Sequence, residues 1–162
     1  MAAETRRVVA RREATTIVCT HHGLTMAAAG IDASNTDPGT LLPLQADPDG
    51  EARRIRARIV ELTGHRIGVL ISDTAGRAWR VGQTDIAIGR AGVDPVESFA
   101  GPTNTHGQSL FVTAPAVADE ITGAAELVSG KLGGRPIVIV RGILAHMLTD
   151  EHGPGAAELI RD

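Results

Sequence analysis

The chain has 162 residues, 16 Lys and Arg against 19 Asp and Glu, and a formal net charge of -3 at pH 7. That length suits a single domain over residues 1–162, and the mixed, nearly balanced charge gives no field to attract nucleic acid or an anionic membrane surface. Trp79, Phe99 and Phe111 are joined by no Tyr, so the base-stacking platforms of single-strand binders are missing as well.

No run approaches the ~20 apolar residues of a membrane-spanning helix, and the N-terminus is charged (Glu4, Arg6, Arg7, Arg11, Arg12) without an apolar signal core. A reducing cytoplasm is the expectation. The single cysteine, Cys19, allows no intrachain disulfide, and its apolar setting in Thr16-Ile17-Val18-Cys19 predicts a buried, inert thiol.

In chain order, Arg7–Ala10 and the β-branched stretch Thr15–Thr20 predict two short strands, followed by a turn at His21-His22-Gly23. Residues 30–39 are small and turn-forming, which predicts a loop. A helix is predicted over Pro48–Thr63. Asp47 is the candidate N-cap, Pro48 fits the first helical position, Gly64 can close the end, and Ala52, Ile55, Ile59 and Leu62 form an apolar stripe. Its other face carries Arg53, Arg54, Arg56 and Glu61, which reads as a solvated surface or as an anion contact.

The apolar run Ile67–Ser72 predicts a strand covered on both faces, ending at Asp73-Thr74. Residues 75–104 are glycine-rich, with Thr84–Gly89 as the strand-like piece; Leu110–Thr113 predicts a further strand. A second helix is predicted over Pro115–Val128, with Val117, Ile121, Ala124, Ala125 and Val128 as its apolar stripe. The turn Gly130-Lys131-Leu132-Gly133-Gly134 leads to Pro136–Val140, a third apolar strand. This order predicts an α+β (mixed α/β) class rather than a regular alternation.

Asp32 and Asp73 stand out because turns and strand ends expose side chains to ligands. Hard cations such as Mg²⁺ or Mn²⁺ take one or two carboxylates with hydroxyls, water and phosphates. Asp32, Asp73 and the Thr74 hydroxyl could supply that set; equally, an Asp in a turn commonly caps its own backbone. The glycines around Lys131 could admit a phosphate, although Gly-Lys after a helix is also an ordinary C-terminal cap, and the segment is no Walker A sequence. His21, His22 and His106 lack metal-site spacing and read as loop residues. No nucleophile motif is present, which leaves no catalytic group separate from the candidate metal site.

Several segments, in order, resemble one family: Gly30-Ile-Asp-Ala-Ser-Asn35, Leu41-Leu42-Pro43, Asp47-Pro48-Asp49, Ala52–Arg56, Ser72-Asp73-Thr74 with Gly76-Arg77 and Trp79-Arg80, Gly82-Gln83-Thr84-Asp85 with Ala87-Ile88-Gly89, Val117–Glu120, Ala125–Val128 with Gly130-Lys131, and Val140-Arg141-Gly142. Together they are similar to the coenzyme F420-0:L-glutamate ligase (F420-0:gamma-glutamyl ligase) family. The resemblance implies that family's fold, a mixed sheet with packed helices. It implies a GTP-dependent ligase that joins L-glutamate to a deazaflavin phospholactate and then extends it in γ-linkage. Asp32, Asp73 and Thr74 match divalent-metal ligands, with Mn²⁺ or Mg²⁺ as the ion and K⁺ as a further candidate. Asn35 and the stretch Ser129, Gly130, Lys131, Leu132, Gly133 and Gly134 match nucleotide contacts. Some members carry a side-chain metal ligand where this chain has Lys131, a cation, which points Lys131 toward phosphate instead.

Family members usually begin with a substantial N-terminal segment that adds nucleotide contacts, and this chain starts downstream of it. The expectation is therefore a homodimer, or a split ligase completed by a partner chain, with small-molecule substrates. A non-catalytic metal- and nucleotide-binding module, or a ligase for a different carboxylate, are the alternatives.

Overall fold

The β-branched run Thr15–Thr20 forms β2, which makes a hairpin with the Arg- and Val-rich β1 (Thr5–Arg12), and β3 (Thr25–Ala27) adds antiparallel to β2. The computed structural model describes residues 2–34, 36–142 and 145–161. Val18 and Thr20 are fully buried in this sheet, while Cys19 between them is half-buried rather than enclosed. Strand alternation explains the difference: neighbours point to opposite faces.

Helix α1 (Pro48–Thr63) has the bounds its caps predict. Asp47 Oδ1 accepts the Gly50 N–H at 2.8 Å, and Gly64 closes the helix in the left-handed region. Burial is confined to Pro48, Gly50 and Ala52; Ile55 and Leu62 are exposed, so the predicted stripe packs only through its first turns. These turns sit on β5 (Gln83–Ala91), where a Cβ at Gly89 would lie 2.6 Å from the Pro48 carbonyl. Asp49 Oδ1 fastens the contact, accepting from Arg90 N at 2.8 Å and Ala156 N at 3.0 Å. The buried Arg90 guanidinium in turn donates to Val93 O and Glu158 Oε2, both at 2.9 Å.

The arginines of the basic face of α1 are paired, within the helix and beyond it. Arg53 meets Asp47, Arg54 meets Glu51, and Arg56 joins Asp150 and the Ile67 carbonyl. The solvated-surface reading accounts for it, with Arg56 as a tie to the C-terminal segment.

Strand β4 (Val69–Gly76) pairs antiparallel with β5, with a register shift between Ile71 and Ser72. The strand starts two residues later than expected and runs through Asp73 and Thr74, because pairing with Gln83–Ile86 carries it beyond its apolar half. It is half-buried, not covered on both faces. Helix α2 (Val117–Ser129) lies on β5 with Val117, Ala118 and Thr122 buried, a stripe rotated from the predicted one; Ala124 and Val128 face outward. Val93, Val117 and Met147 form the apolar core beside Leu70 and Ile121.

The class is α+β, as expected. Within it, the strands of the described residues pair antiparallel in two sheets, β1-β2-β3 and β4-β5, where one mixed sheet was expected. Residues 110–113 and 136–140 are not strands. Val112 is 92% exposed and Ile137 83% exposed; residues 110–113 bond to the chain before them only at their ends, Leu110 with Gly101 and Pro102 at 2.9 Å and Thr113 O with Phe99 N–H at 3.0 Å, which is too irregular for a ladder.

Candidate functional site

The β4–β5 register sets Thr74 opposite Asp85. Thr74 Oγ1 donates to Asp85 Oδ1 at 2.8 Å, and Ser72 Oγ donates to Asp85 Oδ2 at 3.3 Å. Ser72 and Thr74 share a strand face, being two residues apart, and so flank the one carboxylate.

The outer edge of β5 is closed by α2. Glu126 Oε2 accepts the Asp85 N–H at 2.9 Å, Asp119 Oδ1 accepts the Ala87 N–H at 2.9 Å, and Thr122 Oγ1 donates to the Asp85 carbonyl at 3.3 Å. Residues 119, 122 and 126 recur at helical spacing, which aims one polar row at the strand edge.

After α2 the chain reverses at Gly130, whose N–H caps Glu126 O, and Lys131 reaches back over the hairpin. Its Nζ lies 2.5 Å from Glu126 Oε1, 2.6 Å from Thr74 Oγ1 and 2.9 Å from Asp85 Oδ1. An ammonium has three N–H donors, and all three are used here. Desolvation alone would lower the Lys131 pKa; the hydrogen bonds to Glu126 and Asp85 overcome it and raise the pKa above the ordinary lysine value.

Asp32 arrives from the other side. The turn Ala28–Gly30 and strand β3 both rest against β4. Ala28, Ala29 and Gly30 have φ of 52°, 61° and 69°, three left-handed residues in a row. Two are alanines, at a cost of about 1–2 kcal/mol each, and such strain persists where surrounding structure over-determines it, often beside functional sites. A Cβ on Gly30 would meet the Leu44 side chain at 2.9 Å. Reciprocal hydrogen bonds of 2.9 Å between Asp32 and Leu42 then fix the backbone, and Asp32 Oδ1 accepts from Ser34 N and Ser34 Oγ at 2.7 Å.

The Asp73 carboxyl has a raised pKa. Burial is the largest cause; the charges of Asp85 and Asp32 add to it, while the Thr74 backbone hydrogen bond and Lys131 oppose it. Asp73 thus sits within the electrostatic reach of Asp32, Asp85 and Lys131 together.

Among the described residues no three His, Cys, Asp or Glu side chains gather closely enough to hold a metal by themselves. Asp32 and Asp73 instead fit an ion of the Mg²⁺ or Mn²⁺ kind, which takes one or two carboxylates and completes its shell with water and phosphate. Thr74 fits less well. Its proton is directed to Asp85 and one lone pair receives Lys131. An ion ~2.1 Å from Oγ1 would stand within about 5 Å of the ammonium, a repulsion of roughly 2–7 kcal/mol as the effective dielectric falls from 80 to 20.

Of the predicted nucleotide contacts, Asn35 lies outside the described residues. Ser129 Oγ donates to Glu126 O at 3.3 Å, Leu132 is fully exposed, and Gly130, Gly133 and Gly134 form an exposed turn. Lys131 faces inward to carboxylates. His21 and His22 contact the Ala3 and Ala46 carbonyls, and His106 lies in an exposed turn. Two concavities of about 200 and 430 Å³ lie elsewhere, one against the start of α1 and one beside α2. Neither is lined by Asp32, Asp73 or Thr74, so the chemistry of the donor groups, not depth, marks the site.

Sequence reasoning singled out neither Asp85 nor Glu126. For Glu126 a signal was present in the Asp119-Thr122-Glu126 row; for Asp85, only the hairpin register reveals its partners.

A profile of the F420-0:gamma-glutamyl ligase family matches residues 1–142. The coenzyme F420:L-glutamate ligase of Methanothermobacter thermautotrophicus is 47% identical over 124 residues, 76% of this chain and 49% of that protein. Its counterpart in Archaeoglobus fulgidus is 49% identical over 71% of this chain and 47% of its own length. That of Methanopyrus kandleri is 41% identical over 85% and 55%. The chain spans about half the length of the curated relatives it matches. Since the match runs from β1 through α2 and the Lys131 turn, taking in the whole carboxylate cluster, the chain belongs to the F420-0:gamma-glutamyl ligase family.

Proposed function

We propose that the chain is a ligase, or the metal- and nucleotide-handling part of one, that joins L-glutamate to a deazaflavin phospholactate, coenzyme F420-0, using GTP and a divalent ion. The observation that carries this reading is the half-buried Asp73 carboxyl under the charges of Asp32 and Asp85, an arrangement that an added cation relieves. Asp32 and Asp73 would hold Mn²⁺ or Mg²⁺, with K⁺ a further candidate. The ion would offset negative charge on phosphate oxygens during transfer.

In the reaction, the γ-phosphoryl group passes from GTP to the acceptor carboxylate, giving an acyl phosphate and GDP. The uncharged amine of glutamate then forms the amide bond; phosphate leaves and a proton is released. The chain's own contribution is positioning and fixed charge. The Ser129–Gly134 turn with Asn35 is the proposed nucleotide contact. Lys131 holds Thr74 and Asp85 in register beside Asp73.

The nucleotide site is proposed to be completed by another surface, from a second copy or a partner chain, in the cytoplasm. The exposed apolar residues Leu132, Ile137 and Ile139 beside the turn favour this over a chain acting alone. No helix among the described residues is long and apolar enough to cross a membrane.

Incubating the chain with Mn²⁺, GTP, glutamate and the deazaflavin acceptor should give a glutamylated product by mass spectrometry, lost in Asp32→Ala and Asp73→Ala. Metal-dependent GTP binding without product, with or without a partner chain, would favour the non-catalytic module. GTP binding that ignored both substitutions would remove the site assignment.

A further inference from the structure

Lys131 follows α2 in an open turn, where a lysine is ordinarily free to extend into solvent. Here its ammonium is drawn back among Glu126 Oε1, Thr74 Oγ1 and Asp85 Oδ1 at 2.5, 2.6 and 2.9 Å. These oxygens come from α2, β4 and β5, so three elements converge on one positive charge. Its donors are all engaged, which leaves none for a phosphate while this arrangement holds. Strand alternation sends the Asp73 carboxyl and the Thr74 hydroxyl to opposite faces of β4, and Asp73 lies in the field of Asp32.

We propose that Lys131 is a built-in counter-ion: its ammonium fills the position between Asp85, Glu126 and Thr74, so an added divalent ion is taken by Asp32 and Asp73 alone and Thr74 is a partner of lysine, not a metal ligand. The inference about ion number rests on the metal reading above, whereas the occupancy of the Asp85–Glu126–Thr74 position by Lys131 does not. Lys131 is a positioning residue in this sense. Replacing its charge with a neutral side chain vacates a set of two carboxylates and a hydroxyl suited to a hard cation.

The test is a titration of the full chain with Mn²⁺ alone, following loss of the free-ion signal by electron paramagnetic resonance, with circular dichroism to confirm folding. Wild type should bind one Mn²⁺. Lys131→Gln should bind a second, which adding Asp85→Asn removes, and Lys131→Arg should stay at one because the charge is restored. Two ions in wild type would overturn the proposal without any variant, and so would an unchanged stoichiometry in Lys131→Gln. No ion in wild type, with one gained in Lys131→Gln and lost again with Asp85→Asn, would uphold the counter-ion and overturn the Asp32–Asp73 ion site.

Discussion

Truncating Asp85 to alanine tests whether the cluster exists in solution as described. The Asp85 side chain is 16% exposed and accepts from Thr74 at 2.8 Å, Lys131 at 2.9 Å and, weakly, Ser72 at 3.3 Å. Leaving the partly buried Thr74 hydroxyl without its acceptor costs about 1–2 kcal/mol. The Lys131 pair adds less, about 0.5–1 kcal/mol, since that ammonium is more than half exposed and keeps Glu126. Relief of repulsion with Asp73 offsets part of the sum. The net expectation is a loss of about 1–3 kcal/mol, or roughly 3–10 °C in Tm for a chain of this size. Asp85→Asn retains an acceptor for Thr74 and should cost under about 1 kcal/mol. Urea denaturation at constant m-value measures both. If Asp85→Ala fell within 0.5 kcal/mol of wild type (roughly the scatter of neutral surface substitutions), the Thr74–Asp85–Lys131 arrangement would not be what holds the hairpin.

Four further outcomes follow from the burial and geometry. The folded pKa of Asp73 is raised, so its carboxyl favours folding below its unfolded pKa near 3.9, and that contribution is lost as pH rises through the folded value. Without divalent ions, Asp73→Asn should therefore melt no lower than wild type at pH 7, with the gap closing toward pH 3.5; a lower Tm at pH 7 would contradict the burial argument. Added Mn²⁺ at 100 times its dissociation constant should stabilise wild type by about 2.7 kcal/mol and Asp73→Asn not at all. Asp49→Ala strips the acceptor from two backbone N–H groups, Arg90 and Ala156, and should cost about 2–4 kcal/mol in denaturant melts while leaving Mn²⁺ affinity unchanged. Gly30→Ala, at φ 69° and against Leu44, should lose about 1–3 kcal/mol and weaken Mn²⁺ binding in calorimetry, whereas Ala28→Gly at φ 52° should be neutral or gain up to about 1 kcal/mol.

What the sequence disclosed was what is locally encoded. Asp47, Pro48 and Gly64 fix α1 within a few residues of themselves, so its bounds were legible. The strands were legible only where the chain also supplied a partner. Thr15–Thr20 pairs with β1 and β3, but Leu110–Thr113, of the same β-branched or apolar character, makes only scattered backbone bonds to residues 99–102, and Pro136–Val140 forms no strand. Conversely, Asp73-Thr74-Ala75-Gly76 has poor strand composition and is a strand because Gln83–Ile86 lies opposite. The same limit governed the site. Asp32 and Asp73 could be marked by residue type and setting, while Asp85 and the inward turn of Lys131 depend on register and on where α2 ends.

Glu126 shows why site and scaffold are hard to separate here. One carboxyl oxygen satisfies the Asp85 N–H on the open edge of β5 and the other holds Lys131. An outward shift of α2 would therefore release the strand edge and the ammonium together, and Thr74 and Asp85 would lose their shared cation at the same moment. The cluster's charge balance thus depends on helix–hairpin packing, through Thr122 and Asp119 on the same row as much as through Lys131. It follows that the setting of Asp85 and Lys131 is fixed by the docking of α2, and the proposed divalent ion would meet a preformed shelf on which Asp73 is the least comfortable charge.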